Sequence, residues 1–87
     1  MIKEIVQRIE NEISMLYDTN YRREEKVWAN EKQIKHIEKL WNRAKNLKSD
    51  EIKVLSRYVL DVCSLDSKLL KNISELYQII VLRGSEG

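Results

Sequence analysis

Residues 30–47, NEKQIKHIEKLWNRAKNL, decide the fold, because they carry two opposed faces at helical spacing. At about 100° per residue, the apolar side chains form one broad stripe and the basic side chains form a second stripe on nearly the opposite side. The apolar stripe consists of Ile34, Ile37, Leu40, Trp41, Ala44 and Leu47. The basic stripe, which we call the basic face, consists of Lys32, Lys35, Lys39 and Arg43. We therefore predict a helix from about Glu31 to Leu47 that packs on one side and meets water or an anion on the other.

The composition of the 87-residue chain favours an all-helical fold. The chain contains no Pro, and its two Gly residues are Gly84 and Gly87. The residues that punctuate tight turns and hairpins are thus scarce, whereas Lys, Glu, Ile and Leu are common. We predict one all-α domain, a small bundle of three to four helices. It divides into an amphipathic helix at 1–17, a connector at 18–29, a helical core module at 30–82 and a tail at 83–87.

Several classes of protein are disfavoured by the same composition. Cys63 is the single cysteine, so the chain cannot form an internal disulfide, and no cluster of Cys and His offers ligands for zinc. Charged residues interrupt the N-terminal apolar positions, and the longest uncharged apolar run, 76–82, is far shorter than the roughly 20 residues of a membrane-spanning helix. We expect a cytoplasmic protein that uses no metal or cofactor and does not insert into a membrane.

The first helix presents a narrow apolar seam. Its members follow one another at steps of three, four and seven, which suits packing within a bundle and also suits a coiled-coil contact with a second subunit. The seam consists of Ile2, Ile5, Val6, Ile9, Ile13 and Leu16. Both uses remain open at this stage and can coexist in an intertwined dimer. We predict a homodimer that uses these residues.

The connector contains a cap signal followed by a stretch with little pattern. Asp18, Thr19 and Asn20 are good turn and cap residues, so they should end or kink the first helix. Asn30 followed by Gln33 matches a capping box, which marks the start of a new helix. A single continuous helix that reaches Leu47 is the alternative, but the two cap signals favour a break.

Two more helices are predicted after the helix that carries the basic face. Ser49 should cap a third helix whose apolar residues cover most of its circumference, so we expect this helix to be central and the most buried. Residues 64–71 should contain a turn and a short helical piece. Ser74 should cap the last helix, and Gly84 stands where a helix commonly stops.

Positive charge is concentrated in the middle of the chain. The net charge is +2, but residues 21–48 carry nine basic and four acidic side chains, a net of +5. The basic face spans about 17 Å at 1.5 Å per residue, a length over which several phosphates of a nucleic acid could be met. Arg22 and Arg23 add charge upstream. An ordinary solvated helix face is the competing interpretation of the same stripe.

No residue pattern points to catalysis. His36 should be a surface histidine beside the basic face, and Cys63 should be a small buried hydrophobic residue. Trp41 is centred in the apolar stripe and should belong to the core. Trp28 and Tyr21 lie in the connector and could anchor a protein partner, although for Trp28 we favour a packing role before the Asn30 cap. We predict a protein that is not an enzyme.

The segment 30–41, NEKQIKHIEKLW, resembles a helical module of phage-type DNA-metabolism proteins. It is similar to the small Gem-like regulatory proteins of transposing phages and to helical tails of phage recombination and annealing proteins. Those modules open with Thr or Ser, where this chain has Asn30, and close with a leucine-rich turn and a short apolar helix, here 69–80. The likeness covers residues 30–82 and implies a role near DNA.

Two functions are therefore expected as alternatives. The first is a small accessory or regulatory protein of phage or mobile-element type that binds nucleic acid through the basic face. The second is an inhibitor or adaptor module that docks on a larger host protein through aromatic and apolar anchors.

Overall fold

The computed structural model describes residues 2–86, with side chains described through residue 83. Within this part the chain forms helices and no strand, which confirms the all-α prediction. The helices are α1 (Ile2–Met15), α2 (Thr19–Glu24), α3 (Glu31–Ala44), α4 (Ser49–Val62) and α5 (Lys68–Glu86). The predicted number of three to four helices is too low, because the connector contains the short helix α2.

The four long helices enclose one core. Helix α1 packs along α5, α5 packs on α4, and α4 packs on α3, whereas α1 and α3 make only a few contacts with each other. The interior is filled by aliphatic side chains from every long helix, because each contributes one apolar stripe. Fully buried members include Ile5, Ile9, Leu16, Ile34, Ile37, Ile52, Leu55, Val59, Leu69, Ile73 and Leu76.

Helix α2 is defined by caps at both of its ends. The Asp18 carboxylate accepts hydrogen bonds from the backbone N–H groups of Asn20 and Tyr21, so the predicted break after α1 is present and Asp18 also starts a helix that was not predicted. At the other end Lys26 adopts a left-handed conformation with φ of 55°, and Val27 N–H donates to the Arg22 carbonyl. This is the hydrogen-bond pattern of a Schellman motif, in which Gly is the usual residue at the left-handed position. The continuous helix considered above is therefore excluded.

Helix α3 begins where the capping box predicts and ends earlier than expected. The Asn30 side chain accepts from Gln33 N–H at 2.9 Å, and the Gln33 side chain accepts from Asn30 N–H at 2.8 Å. The helix ends at Ala44, not Leu47. Leu47 instead lies in a turn with φ of 66° and is partly exposed, so it does not belong to the buried stripe.

Helix α4 corrects two predictions. Its N-cap position is occupied by Lys48, which makes no side-chain cap hydrogen bond, so Ser49 is the first helical residue and not the cap. The expectation that this helix is buried nearly all round is wrong, because Val54 and Leu60 are about half exposed. Helices α3 and α5 cover only the side that carries Ile52, Leu55, Val59 and Val62.

Helix α5 is longer than the sequence predicts. It begins at Lys68, six residues before the expected cap at Ser74, because the buried Ser67 hydroxyl accepts from Leu70 N–H at 3.3 Å. The Glu25 carboxylate accepts from Lys68 N–H at 2.9 Å and satisfies a second amide of the first turn. The helix passes through Gly84 and reaches Glu86, so the predicted stop and most of the predicted tail, 83–87, are helical; Gly87 lies outside the described residues.

Candidate nucleic-acid interface

The basic face projects into solvent as the sequence predicts. The capping box sets the first turn of α3, and burial of Ile34, Ile37 and Trp41 fixes the rotation of the helix about its axis. All four cations, Lys32, Lys35, Lys39 and Arg43, are exposed as a result. The fold therefore presents them together on one side of a single helix.

The cations of the basic face are almost free of acidic partners. Within the described residues, the one ion pair that any of them makes joins Lys35 Nζ to Glu31 Oε1 at 3.9 Å, inside α3 itself. Both side chains of that pair are exposed, at 66% and 74%. An exposed i,i+4 pair of this kind contributes only about 0.3–0.5 kcal/mol, so an anion from outside could displace Glu31 at little cost.

The second acidic residue of α3 is engaged elsewhere. The Tyr17 hydroxyl donates a hydrogen bond to the Glu38 carboxylate, which ties the turn after α1 to α3. The Glu38 carboxylate, by this bond and by its negative charge, raises the pKa of Tyr17, and burial of the phenol adds to the effect. Glu38 is thus held at the α1 side of α3 and does not pair with the cations of the basic face.

The two upstream arginines have different surroundings. Arg22 is half-buried, and its guanidinium donates to the Ala29 carbonyl at 3.1 Å and to the Thr19 hydroxyl at 3.3 Å. Its hydrogen bonds hold the 25–29 loop against α2, so its role in the structure is to order that loop. Arg23 is exposed. Both residues lie on α2, a separate helix from the basic face.

Trp28 is exposed and fixed in position, so the packing role favoured from the sequence is wrong. Its side chain is 62% exposed, while its indole N–H donates to the Asp61 carbonyl at 3.0 Å. Its backbone N–H donates to the Val62 carbonyl at 2.9 Å, beside an antiparallel bridge between Val27 and Cys63. The two hydrogen bonds to the end of α4 therefore hold an exposed indole at the surface.

Tyr21 is less accessible than Trp28. It packs partly against the core, and burial together with the nearby charges of Glu12 and Glu25 raises its pKa to about 12. Tyr21 is therefore a half-buried tyrosine that packs on the core. Tyr21 and Trp28 therefore do not form a single exposed aromatic pair of equal prominence.

The seam of α1 is used inside one chain. Ile5, Ile9, Ile13 and Leu16 are buried in the core, and Ile2 and Val6 pack against it. Helix α5 covers most of this seam, since α1 makes most of its contacts with α5. The intramolecular use of the seam, one of the two left open above, is therefore present in the fold.

The two remaining residues with reactive side chains are His36 and Cys63. His36 is exposed, and its ring lies edge-on to Tyr58 of α4 with ring centroids 4.6 Å apart. Cys63 is buried, and burial raises the pKa of its thiol to about 11. Among the described residues, no group of three His, Cys, Asp or Glu side chains is arranged to hold a metal ion. A bilayer core requires a long uncharged helix, and none occurs in the described part of the chain.

Comparison of the chain with protein-family models, with curated protein sequences and with solved structures finds no match. The function must therefore be argued from the chain's own surface. One surface feature was not anticipated from the sequence, a groove between α4 and α5 that contains Lys53 and Arg57. The spacing of four between these two cations places them on one face of α4 and was the available signal.

Proposed function

We propose that this protein binds nucleic acid through the basic face of α3. The observation that supports the proposal is that Lys32, Lys35, Lys39 and Arg43 are all exposed, and that no acid of another helix, among the described residues, forms an ion pair with them. A solvated helix face normally interleaves both signs of charge, whereas three cations of this face have no ion pair with any acid that the structure describes.

The mechanism is electrostatic and does not depend on base sequence. Each lysine or arginine that contacts a phosphate releases condensed counterions from the nucleic acid, and this release provides the affinity. The outward residues of α3 are otherwise basic, acidic or amide, and its one exposed aromatic ring, that of His36, lies edge-on to Tyr58 of α4. We therefore propose a non-enzymatic accessory or regulatory protein that contacts the phosphate backbone, in the phage or mobile-element setting that the resemblance at 30–82 implies.

Fluorescence anisotropy at low salt tests this proposal directly. Labelled single- and double-stranded DNA and RNA are titrated with the wild-type chain, with Lys35→Glu/Lys39→Glu and with the control Lys3→Glu/Lys71→Glu. The two double variants change the net charge equally, but only the first alters α3. We expect binding to be lost in the first variant and largely retained in the control. Absence of binding by the wild-type chain, or equal losses in both variants, would refute the proposal.

A second candidate function rests on Trp28. Its large exposed surface and two hydrogen bonds to the end of α4 favour the alternative of a protein-binding module that docks on a host protein. Capture from a host lysate is compared for wild type, Trp28→Ala and Lys35→Glu/Lys39→Glu. A protein retained by the charge variant and lost from Trp28→Ala supports docking through Trp28. If no captured protein depends on Trp28, the docking function is removed.

Homodimerisation stays a prediction. Because one chain already buries the seam of α1, a dimer through Ile5, Ile9 and Ile13 requires exchange of α1 between two copies. Sedimentation equilibrium over a range of concentrations measures this directly. A molecular mass equal to that of one chain at every concentration would refute the predicted homodimer.

A further inference from the structure

A groove between α4 and α5 collects hydrogen-bond donors from both helices. Its volume is about 320 Å³. The lining residues are Lys53, Ser56 and Arg57 from α4 and Ser74, Tyr77 and Gln78 from α5. They comprise two cations, three hydroxyl groups and one amide, and the lining includes no Asp or Glu. Most of the exposed lining is apolar, and its polar groups include two cations and no carboxylate, so the groove suits a ligand that joins an anionic group to an apolar part.

The packing of α4 on α5 brings these side chains together. Burial of Ile52, Leu55 and Val59 turns the core side of α4 inward and leaves Lys53 and Arg57 at the outer edge of the contact with α5. The two cations are four residues apart, so they lie one above the other on the helix surface. Ser74 and Gln78 have the same spacing on α5 and face the groove from its other wall.

The polar side chains of the groove are not used by the fold. Among the side chains that the structure describes, none of the six lining residues takes part in a side-chain hydrogen bond or an ion pair. Two cations at i,i+4 repel each other slightly, and no carboxylate lies in the groove to offset that repulsion. A bound anion would remove the repulsion and satisfy several donors at once.

We propose that the groove binds the phosphate group of a small phosphomonoester. Lys53 and Arg57 contact the phosphate oxygens, and the hydroxyl groups of Ser56 and Ser74 donate to the same group. The ring of Tyr77, which packs partly on the core, offers a flat apolar surface to the organic part of the ligand. The volume is close to the lower end of the range for small-molecule sites, which suits a ligand the size of a mononucleotide. The site uses no residue of the basic face and does not depend on the proposed function.

Amide chemical shifts of the isotope-labelled full chain provide the test. The probes are inorganic phosphate, adenosine 5′-monophosphate, adenosine and a short single-stranded oligonucleotide. We expect phosphate and the mononucleotide to shift amides of α4 and α5 around the groove, and adenosine to leave them in place. Arg57→Gln removes a charge-assisted hydrogen bond and should weaken mononucleotide binding about tenfold. The control Lys71→Gln removes the same charge from α5 outside the groove and should change the affinity by less than about twofold.

Three outcomes would overturn the inference. The first is a set of weak shifts scattered over cations of the whole surface, with equal effects of Arg57→Gln and Lys71→Gln. The second is binding of the oligonucleotide at the groove without binding of the mononucleotide. The third is loss of mononucleotide binding in Lys35→Glu/Lys39→Glu, which should leave the groove unchanged. Arg57 is exposed, so the variant should fold, and Lys53→Gln provides the same comparison if it does not.

Discussion

The salt dependence of nucleic-acid binding provides a quantitative test of the basic face. The perturbation is Lys35→Gln/Lys39→Gln, which removes two of its four cations without adding negative charge. Both side chains are exposed, and the ion pair from Lys35 to Glu31 is worth little, so the fold should be unaffected. Any change in binding can then be attributed to lost phosphate contacts.

The expected magnitude follows from the number of exposed cations. If all four contact phosphates of duplex DNA, the slope of log K against log salt concentration is about −3.6, and two contacts give about −1.8. Between about 50 mM and 200 mM salt, these slopes correspond to affinity losses of about 150-fold for wild type and about 12-fold for the double variant. The difference is large enough to measure without an accurate absolute affinity.

Anisotropy titrations of a labelled duplex at four or more salt concentrations give both slopes. The control Lys3→Gln/Lys71→Gln has the same net charge as the test variant and should keep the wild-type slope. If the test variant keeps a slope within about 0.5 of wild type, Lys35 and Lys39 do not contact phosphates and the reasoning fails. If the control loses as much slope as the test variant, the attraction comes from net charge and not from α3.

The other predictions concern the fold that presents this face. Asn30→Ala removes the side-chain half of the capping box and should lower the free energy of unfolding in urea by about 1 kcal/mol, while Asn30→Ser should restore most of it. Lys26→Gly relieves a left-handed non-glycine residue and should raise the melting temperature by about 2–6 °C, whereas Lys45→Gly, at φ of −66°, should lower it. Folding raises the pKa of Tyr21 from 10.0 to about 12. The neutral phenol therefore contributes to the stability of the fold below pH 10, and this contribution is lost as the pH rises towards 12. Tyr21→Phe has no such group and should lose less stability between pH 10 and 12. The cap argument fails if Asn30→Ala is as stable as wild type, and the strain argument fails if Lys26→Gly melts at a lower temperature. The argument for Tyr21 fails if Tyr21→Phe loses as much stability as wild type at alkaline pH.

Local signals in the sequence predicted the start of helix α3 and the break after α1. The capping box at Asn30 and Gln33 involves residues three apart, and the side chain of Asp18 reaches amides two and three residues ahead. Such contacts join residues within one short segment, so the residue pattern of that segment is enough to predict them. The exposure of the basic face followed for the same reason, because it is the reverse side of the buried stripe.

Contacts between distant segments explain the predictions that failed. Ser67 caps the first turn of α5 locally, but the carboxylate that accepts from the Lys68 amide belongs to Glu25, 43 residues earlier in the sequence. Trp28 is held at the surface by carbonyl groups of Asp61 and Val62. The sequence around Lys68 and Trp28 does not reveal these distant partners. The cap signal at Ser74 instead predicted a later helix start, and the apolar character of Trp28 predicted a packed side chain.

The apolar composition of α4 was also a poor guide to its burial. Val54 and Leu60 suggested a central helix, but only two neighbouring helices pack on α4, and they cover one side of it. The spacing of Lys53 and Arg57 indicates two cations on one face of α4, but the groove itself could not be predicted, because its second wall comes from α5. A surface site formed by two helices requires knowledge of which helices are adjacent.

The pairing of α1 with α5 has a consequence for the order in which the chain can fold. Helices α3 and α4 are consecutive and can associate as soon as both have left the ribosome. The apolar side of α1, in contrast, lacks its main packing partner until α5 has been synthesised. Closing that distant contact is slow relative to forming a local helical hairpin. During translation, the apolar side of α1 therefore stays exposed until α5 is made, and this interval would give two nascent copies an opportunity to exchange α1.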